Sequence, residues 1–421
     1  MRKILVLVFI FTGSFLVQAA IPAENICYDP MIRTIQVHKE ADALSMPLIH
    51  LGSEERLAFS FDDLGPDLKR YKFTIQLCDF DWTLNERMDP ADFIAGWREE
   101  NIDRFEYSYN TTVKYIHFSA VFPTENMSPK VSGNYLLIVY EEEPYRIVFT
   151  RRFLVAETTP LTLSGRVVQS SLPGAQQLSQ QVDFLVNLNG FQINDVTREI
   201  RTVVQQNGRT DNEIIILKPR FSRPGELDYR YDENITFAGG NQFRNFDIKS
   251  LLYQSENIRK IQFDTMTQVY LLNDLPRTYK QYTFDQDLNG RFFIKNEEHA
   301  ENSAIESDYA LVHFFLPYPA AIPNGDFYIL GDLTQMQLND ASKMNYNLSR
   351  RGYETDLLLK QGYYNYLYVF REKGRVRGDE TLIEGSHWET ENDYSIRIYY
   401  TETGSLYSRL IGAYTLNSAT R

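Results

Sequence analysis

The sequence predicts an all-β chain: tandem immunoglobulin-like β-sandwich modules with a few short helices. Three observations carry that reading. Apolar and polar residues alternate with period two along several stretches, the mark of a strand with one buried face. Turn-forming residues interrupt these stretches at short intervals, as they do in sandwiches. The chain has 421 residues and is rich in Tyr (28) and Phe (27), a content that builds cores rather than disorder. At ~150 residues per domain, that length corresponds to two or three domains.

Residues 1–20 read as a secretory signal peptide. Arg2 and Lys3 precede the apolar run Ile4 to Phe11, and Val17 and Ala19 fall at the −3 and −1 positions of a cut. Loss of Arg2 and Lys3, the only charges in that segment, takes the formal charge from −13 to −15. Cys27 follows Ile26, where a lipid anchor needs a small residue, so the mature chain is expected to be exported and soluble. Cys27 and Cys78 leave two alternatives open: a disulfide in an oxidising compartment, or two unlinked thiols with Cys78 packed as a small hydrophobe.

The elements follow in order. Tyr71, Phe73, Ile75 and Leu77 alternate with Lys72, Thr74 and Gln76. Asp89 can cap a short helix with Pro90 in its first turn and Phe93 and Trp97 paired one turn apart. Leu136 to Tyr140 and Ile214 to Leu217 are continuous apolar runs, expected to be buried on both faces. Asn289-Gly290 predicts a hairpin between Tyr279 to Leu288 and Arg291 to Ile294. Tyr364, Tyr366, Tyr368 and Phe370 share one strand face, as do Tyr394, Ile396, Ile398 and Tyr400. The linker-like Glu157-Thr158-Thr159-Pro160 and the polar stretch Asn296 to Ser307 set the expected domains: 21–157, 158–298 and 299–421.

Charge and motif content narrow the function. A chain with 56 acidic and 43 basic residues lacks the basic face that phosphate tracking needs. The six histidines are scattered, with no H-E-x-x-H, G-x-S-x-G or phosphate-binding loop. Asp285, Asp287, Asn289 and Gly290 imitate a calcium loop, but its twelfth position is Asn296 rather than Glu, and the turn reading is preferred. The pairs Asp62/Asp63 and Asp79/Asp81 are expected to accept backbone N–H groups in the turns that follow. No enzyme activity, metal or cofactor is expected.

Two resemblances go further. The stretch from Gly325 to Leu333 with LKQGYYNYLYV (359–369) resembles the glycogen-binding modules of starch enzymes, but Gln335, Met336 and Gln337 stand where those modules carry a sugar-stacking Trp. More specific are FSFDDL (59–64), CDFDW (78–82), SYNTT (108–112), SGNY (132–135), FAGGNQFRNFD (237–247), LKQGYYNYLYV and EGSHWETENDYSIRIYY (384–400). In order and spacing these phrases resemble the plug protein family of the type IX secretion system in Gram-negative bacteria, across the whole mature chain. Leu77 and Gln242 depart from that pattern, which commonly has His and Glu there.

The resemblance implies a periplasmic protein, peripherally associated with an outer-membrane complex. It would seal the periplasmic end of a β-barrel translocon and be displaced during cargo export. A periplasmic or surface carbohydrate-binding protein is the alternative, and an outer-membrane β-barrel a third reading. The expected partner contacts lie at Gly239, Gly240, Asn241, Phe243, Arg244 and Phe246. There, glycines permit close approach, and aromatics beside a guanidinium have the composition of interface hot spots. On this reading Arg244→Glu spares folding and weakens partner capture. The competing reading is a structural loop whose Phe side chains dock within the protein.

Overall fold

The computed structural model describes residues 21–142 and 145–419, so the expected signal peptide, 1–20, lies outside the described residues. Strand makes up 45% and helix 6%, bearing out the all-β expectation. The strands form three sandwiches.

In the first, the sheet Ile26–Cys27, Arg146–Ala156, Gly133–Glu141, Tyr71–Cys78 and Glu100–Asn101 packs on the sheet Ile32–Lys39, Leu57–Asp63, Ile116–Phe122 and Arg104–Tyr107. Tyr71, Phe73, Ile75 and Leu77 are all buried between the sheets, as their alternation requires. Phe61 stacks on Phe118, directly opposite it in register, with ring centroids 5.2 Å apart.

In the middle module, the sheet Thr162–Gln169, Ser179–Asn187, Glu226–Asp228 and Phe221–Arg223 faces the sheet Ile214–Ile216, Ile200–Gln206, Asp393–Tyr400 and Arg409–Asn417. Tyr394, Ile396, Ile398 and Tyr400 share its core with Val182, Phe184 and Val204. The third module lies between them in sequence. Arg244–Asp247, Gly362–Glu372 and Phe292–Ile294 pair, with Gly325–Leu330 also on Gly362–Glu372. They cover the sheet Ile258–Phe263, Thr267–Leu271, Tyr309–Pro317, Gly352–Lys360 and Asn345–Asn347. Phe246, Phe314, Tyr364, Tyr366 and Tyr368 fill its core.

The boundary expected at 298/299 is therefore corrected. Residues 241–298 belong to the third module, and the last hairpin, Asp393–Asn417, closes the middle one, with Val204 opposite Ile396. The polar stretch Asn296 to Ser307 is an internal connection that includes the short helix Ser303–Glu306. A polar run marks solvent exposure but says nothing about which sheet receives the next strand.

Three local expectations also change, and the alternative left open at the two cysteines is resolved. The helix Pro90–Phe93 has the Asp89 cap, with Asp92 completing a capping box, but Ile94 is already extended, so Phe93 is buried and Trp97 is exposed. Ile214–Ile216 is an edge strand that leaves Ile215 and Leu217 exposed. Asn289 and Gly290 do adopt positive φ (50° and 86°), with Arg291 N donating to Leu288 O, but Tyr279 to Leu288 is irregular and no hairpin forms. Cys27 and Cys78 are free thiols; Cys27 packs on the first core and Cys78 on the opposite face of the same sheet.

Gly133–Glu141 is buried along its whole length because the middle module covers its second face. Leu137 and Val139 point into the first core. Leu136 and Ile138 pack with Trp82 and Leu154 against Val203, Tyr399 and Leu410 of the middle module.

Candidate partner-binding site

FAGGNQFRNFD is the crossing from the middle module into the third, and it runs beside the return crossing at 384–392. Gly239 O accepts from Asn392 Nδ2 (2.9 Å), Gly240 O from His387 N (2.9 Å) and Thr390 Oγ1 (2.9 Å), and Asn241 Nδ2 donates to Glu384 O (2.8 Å). A Cβ on Gly239 would sit 2.0 Å from His387 O, so only glycine permits this approach.

Beyond the glycines, the side chains turn inward. Phe246 stacks on Tyr364 at 5.2 Å, and Phe243 packs with Tyr328, Leu330 and Met336. Arg244 donates to Glu384 (3.0 Å), to Asp274 (2.9 Å) and to Leu275 O (2.9 Å). Arg277 reaches the same Glu384 at 2.8 Å, and Tyr366 and Tyr368 both donate to Asp274. Burial works against the Glu384 charge, but Arg244 and Arg277 hold its carboxyl below the usual range.

The structure thus brings the six expected contact residues together and buries their side chains or bonds them internally. The expectation that Phe243, Arg244 and Phe246 meet a partner gives way to the docked-loop reading. The expectation for Arg244→Glu changes with it, since a carboxylate there would face Glu384 and Asp274.

What the crossing supports is exposed. Residues 272–291 carry no regular secondary structure and run over it as a strap. The strap is pinned at many points. Asp274 is held as described, Arg277 Nη2 donates to Gln242 O (2.7 Å), Thr278 Oγ1 donates to Leu382 O (2.7 Å) and Phe243 N donates to Asp287 (2.6 Å). Between the pins Leu275, Tyr279 and Phe284 project into solvent, Tyr279 fully so. A groove of ≈ 840 Å³ separates the strap from the middle module and is lined by Leu178, Ala238, Tyr279, Tyr282 and His387. Loops this long in compact domains are usually functional, and aromatics on restrained backbone lose little entropy on binding.

The sequence pattern missed these three residues because a Tyr at a loop apex and a Tyr in a strand read alike. Pro276 within the stretch was the one signal against a strand. Gln242, one of the two departures from the family pattern, is buried beneath the strap; its Nε2 donates to Tyr282 Oη (3.2 Å) and its Oε1 has no partner among the described residues. The other departure, Leu77, is fully buried in the first core.

The remaining sequence candidates resolve individually. Asp63 accepts from Gly65 N (2.8 Å) and Asp81 from Thr83 N (3.1 Å), as expected of turn carboxylates. Asp79 instead pairs with Arg87 (2.8 Å), and Asp62 reaches across to Lys360 (2.6 Å) and Tyr309 (2.7 Å) of the third module. Gln335 is turned inward against Arg151, and Met336 is buried, so the loop corresponding to a sugar-stacking face is not open to a sugar.

Fold and site together define a protein of three interlocked β-sandwiches that presents a pinned strap bearing exposed aromatics. Residues 32–157 match the family described as type 9 secretion system plug protein, 1st domain. A crystal structure of a hypothetical protein from Parabacteroides merdae is 34% identical, with a TM-score of 0.91 over 94% of this chain and 100% of that one. The C-terminal domain of the Streptococcus pyogenes antigen I/II-family protein AspA aligns with 91% of this chain and 99% of its own, but with a TM-score of only 0.17 at 8% identity it carries no argument. No curated protein matches the chain.

The chain belongs to the type 9 secretion system plug protein family. Membership associates it with the outer-membrane machinery of that system and with the cell envelope. No helix among the described residues is long and apolar enough to cross a membrane.

Proposed function

We propose that this chain is a non-catalytic periplasmic plug. It seals the periplasmic end of the translocon's outer-membrane β-barrel and is displaced as cargo leaves. The observation that carries the proposal is where the family-specific phrases sit: each lies at a junction between modules. FSFDDL supplies Asp62 to Lys360 of LKQGYYNYLYV. In SYNTT, Tyr109 N donates to Ile305 O and Thr112 N to Asp308. CDFDW and SGNY bear on Tyr399, through Phe80 and through Asn134 Oδ1 (2.6 Å). The other two phrases are the paired crossings.

Such interlocking suits a stopper. A body that blocks a wide pore must not hinge under load, and three sandwiches joined by single linkers would. Reversible seating calls for a mixed polar and aromatic contact rather than a large apolar one, and the strap offers that chemistry. The test is co-purification of the native barrel with tagged mature chain, together with envelope permeability to large dyes after deletion. A captured barrel and a leaky envelope are expected; an intact envelope, or substrate turnover by the purified chain, overturns the proposal.

A further inference from the structure

A cavity of ≈ 400 Å³ lies where the three modules meet. Its walls include Trp82 and Arg151 of the first module, Asn207 and Ser395 of the middle one, and Asp332 and Gln335 of the third. Of the other arginines around it, Arg397 is met by Glu213 and Arg291 by Asp393 (3.9 Å), while Arg152, with no described carboxylate within ion-pair distance, donates to Ala23 O (2.5 Å) and lies over the Trp82 ring (4.5 Å).

Arg151 is the more deeply buried of the two arginines left without a carboxylate. It is only 7% exposed, yet its hydrogen bonds all leave from Nη1, to Gln335 Oε1 (2.8 Å) and Thr150 O (3.3 Å). Its Nε and Nη2 donate to no described acceptor, and no described carboxylate lies within ion-pair distance. Asp332, exposed to solvent, lines the rim of the same space from the third module, and its carboxylate accepts no hydrogen bond from a described residue. Burial pulls the Arg151 guanidinium down to about 10. Enclosing a guanidinium without a carboxylate is costly, so the cavity is built to receive an anion on Arg151, and the exposed Asp332 at its rim can meet a cationic group at the other end of the same ligand. A guanidinium fork takes a carboxylate with two parallel bonds, and the volume suits a small molecule.

We propose that this cavity binds a small zwitterion of amino-acid to dipeptide size, its carboxylate on Arg151 Nε and Nη2 and its ammonium on Asp332. Such a ligand touches all three modules, so its binding stabilises their assembled arrangement. The site is separate from the strap and does not depend on capture of a translocon.

The probes are glycylglycine, acetate alone and methylammonium alone, titrated at matched ionic strength into the mature full-length chain. Binding is read by calorimetry and by the unfolding midpoint. Glycylglycine should bind saturably and raise the midpoint, at least tenfold more tightly than either half. Asp332→Asn, which breaks no hydrogen bond in the structure, should weaken glycylglycine at least tenfold and leave acetate unchanged. Arg151→Gln should abolish both. No saturable glycylglycine binding to the unmodified chain overturns the proposal, and so does undiminished binding by Asp332→Asn; that variant decides alone if Arg151→Gln does not fold.

Discussion

Replacing Lys360 with Met isolates the junction between the first and third modules. Lys360 Nζ lies 2.6 Å from Asp62 Oδ2, with the two side chains only 2% and 1% exposed, and it also donates to Ala304 O at 2.7 Å. Asp62 accepts from Tyr309 Oη (2.7 Å) and is 2.7 Å from His117 Nδ1. Burial opposes both charges. For Asp62, Lys360 and His117 outweigh burial and hold the carboxyl below the usual aspartate range; for Lys360, burial wins and its pKa is lowered. The intact pair is therefore close to break-even, whereas removing one partner strands a buried carboxylate at a cost of ~3–5 kcal/mol. Tyr309 and His117 remain, which places Lys360→Met near ~3 kcal/mol. Lys360→Met with Asp62→Asn should recover most of that loss.

The pH dependence has a definite sign. The folded pKa of Asp62 lies below its unfolded value, so its contribution is complete above the unfolded pKa and is lost as pH falls through the folded one. Without Lys360 that acid limb should move to higher pH. Urea unfolding followed from pH 3 to 8, with limited proteolysis reporting separation of the two modules, measures both effects. A single variant within ~1 kcal/mol of the parent, or a double variant no better than the single, would refute this reasoning.

Three further outcomes are expected. Arg244→Glu should place a third carboxylate beside Glu384 and Asp274 and cost the third module its fixed packing, seen as loss of near-ultraviolet circular dichroism; an unchanged spectrum would contradict the buried network. Tyr279→Ala should leave stability within ~0.5 kcal/mol while weakening translocon capture about tenfold, worth ~1.4 kcal/mol; unaltered capture would remove the strap from the interface. Burial raises the Asp287 carboxyl to about 6, so the folded state binds the extra proton. Stability should therefore fall as pH rises from about 4 to about 6, and Asp287→Asn should flatten that slope in denaturation curves.

Much of the architecture was legible in side-chain period. Tyr71 to Leu77, Tyr364 to Phe370 and Tyr394 to Tyr400 all bury the face their alternation predicts, because a strand's facing repeats every two residues whatever it pairs with. Leu136 to Tyr140 is doubly buried, as its apolar run suggested; Ile214 to Leu217 reads alike but lies at an edge. Composition cannot tell these two apart, since the difference is whether another sheet arrives. The Asp89 cap was legible because capping is local, while the Phe93–Trp97 pairing failed because the helix ends after a single turn.

The contact residues illustrate the same limit. Phe243, Arg244 and Phe246 have the composition of a binding hot spot, which is also the composition of a buried aromatic and ionic core. Only the position of Glu384, some 140 residues further along and 3.0 Å away, shows which it is. Leu275, Tyr279 and Phe284 become candidates only once the strap's pins are seen.

Sequence alone determined the strand content, the family and the phrases that distinguish it, since these rest on short-range order and on which residues stand together along the chain. The tertiary structure decided that the third module is inserted in the second, that the phrases are junctions, and that Arg151 and Asp332 share one cavity. Those facts depend on which distant strands meet, and pairing across some 190 residues (Val204 with Ile396) is set by the complementarity of whole sheet faces rather than by any local pattern.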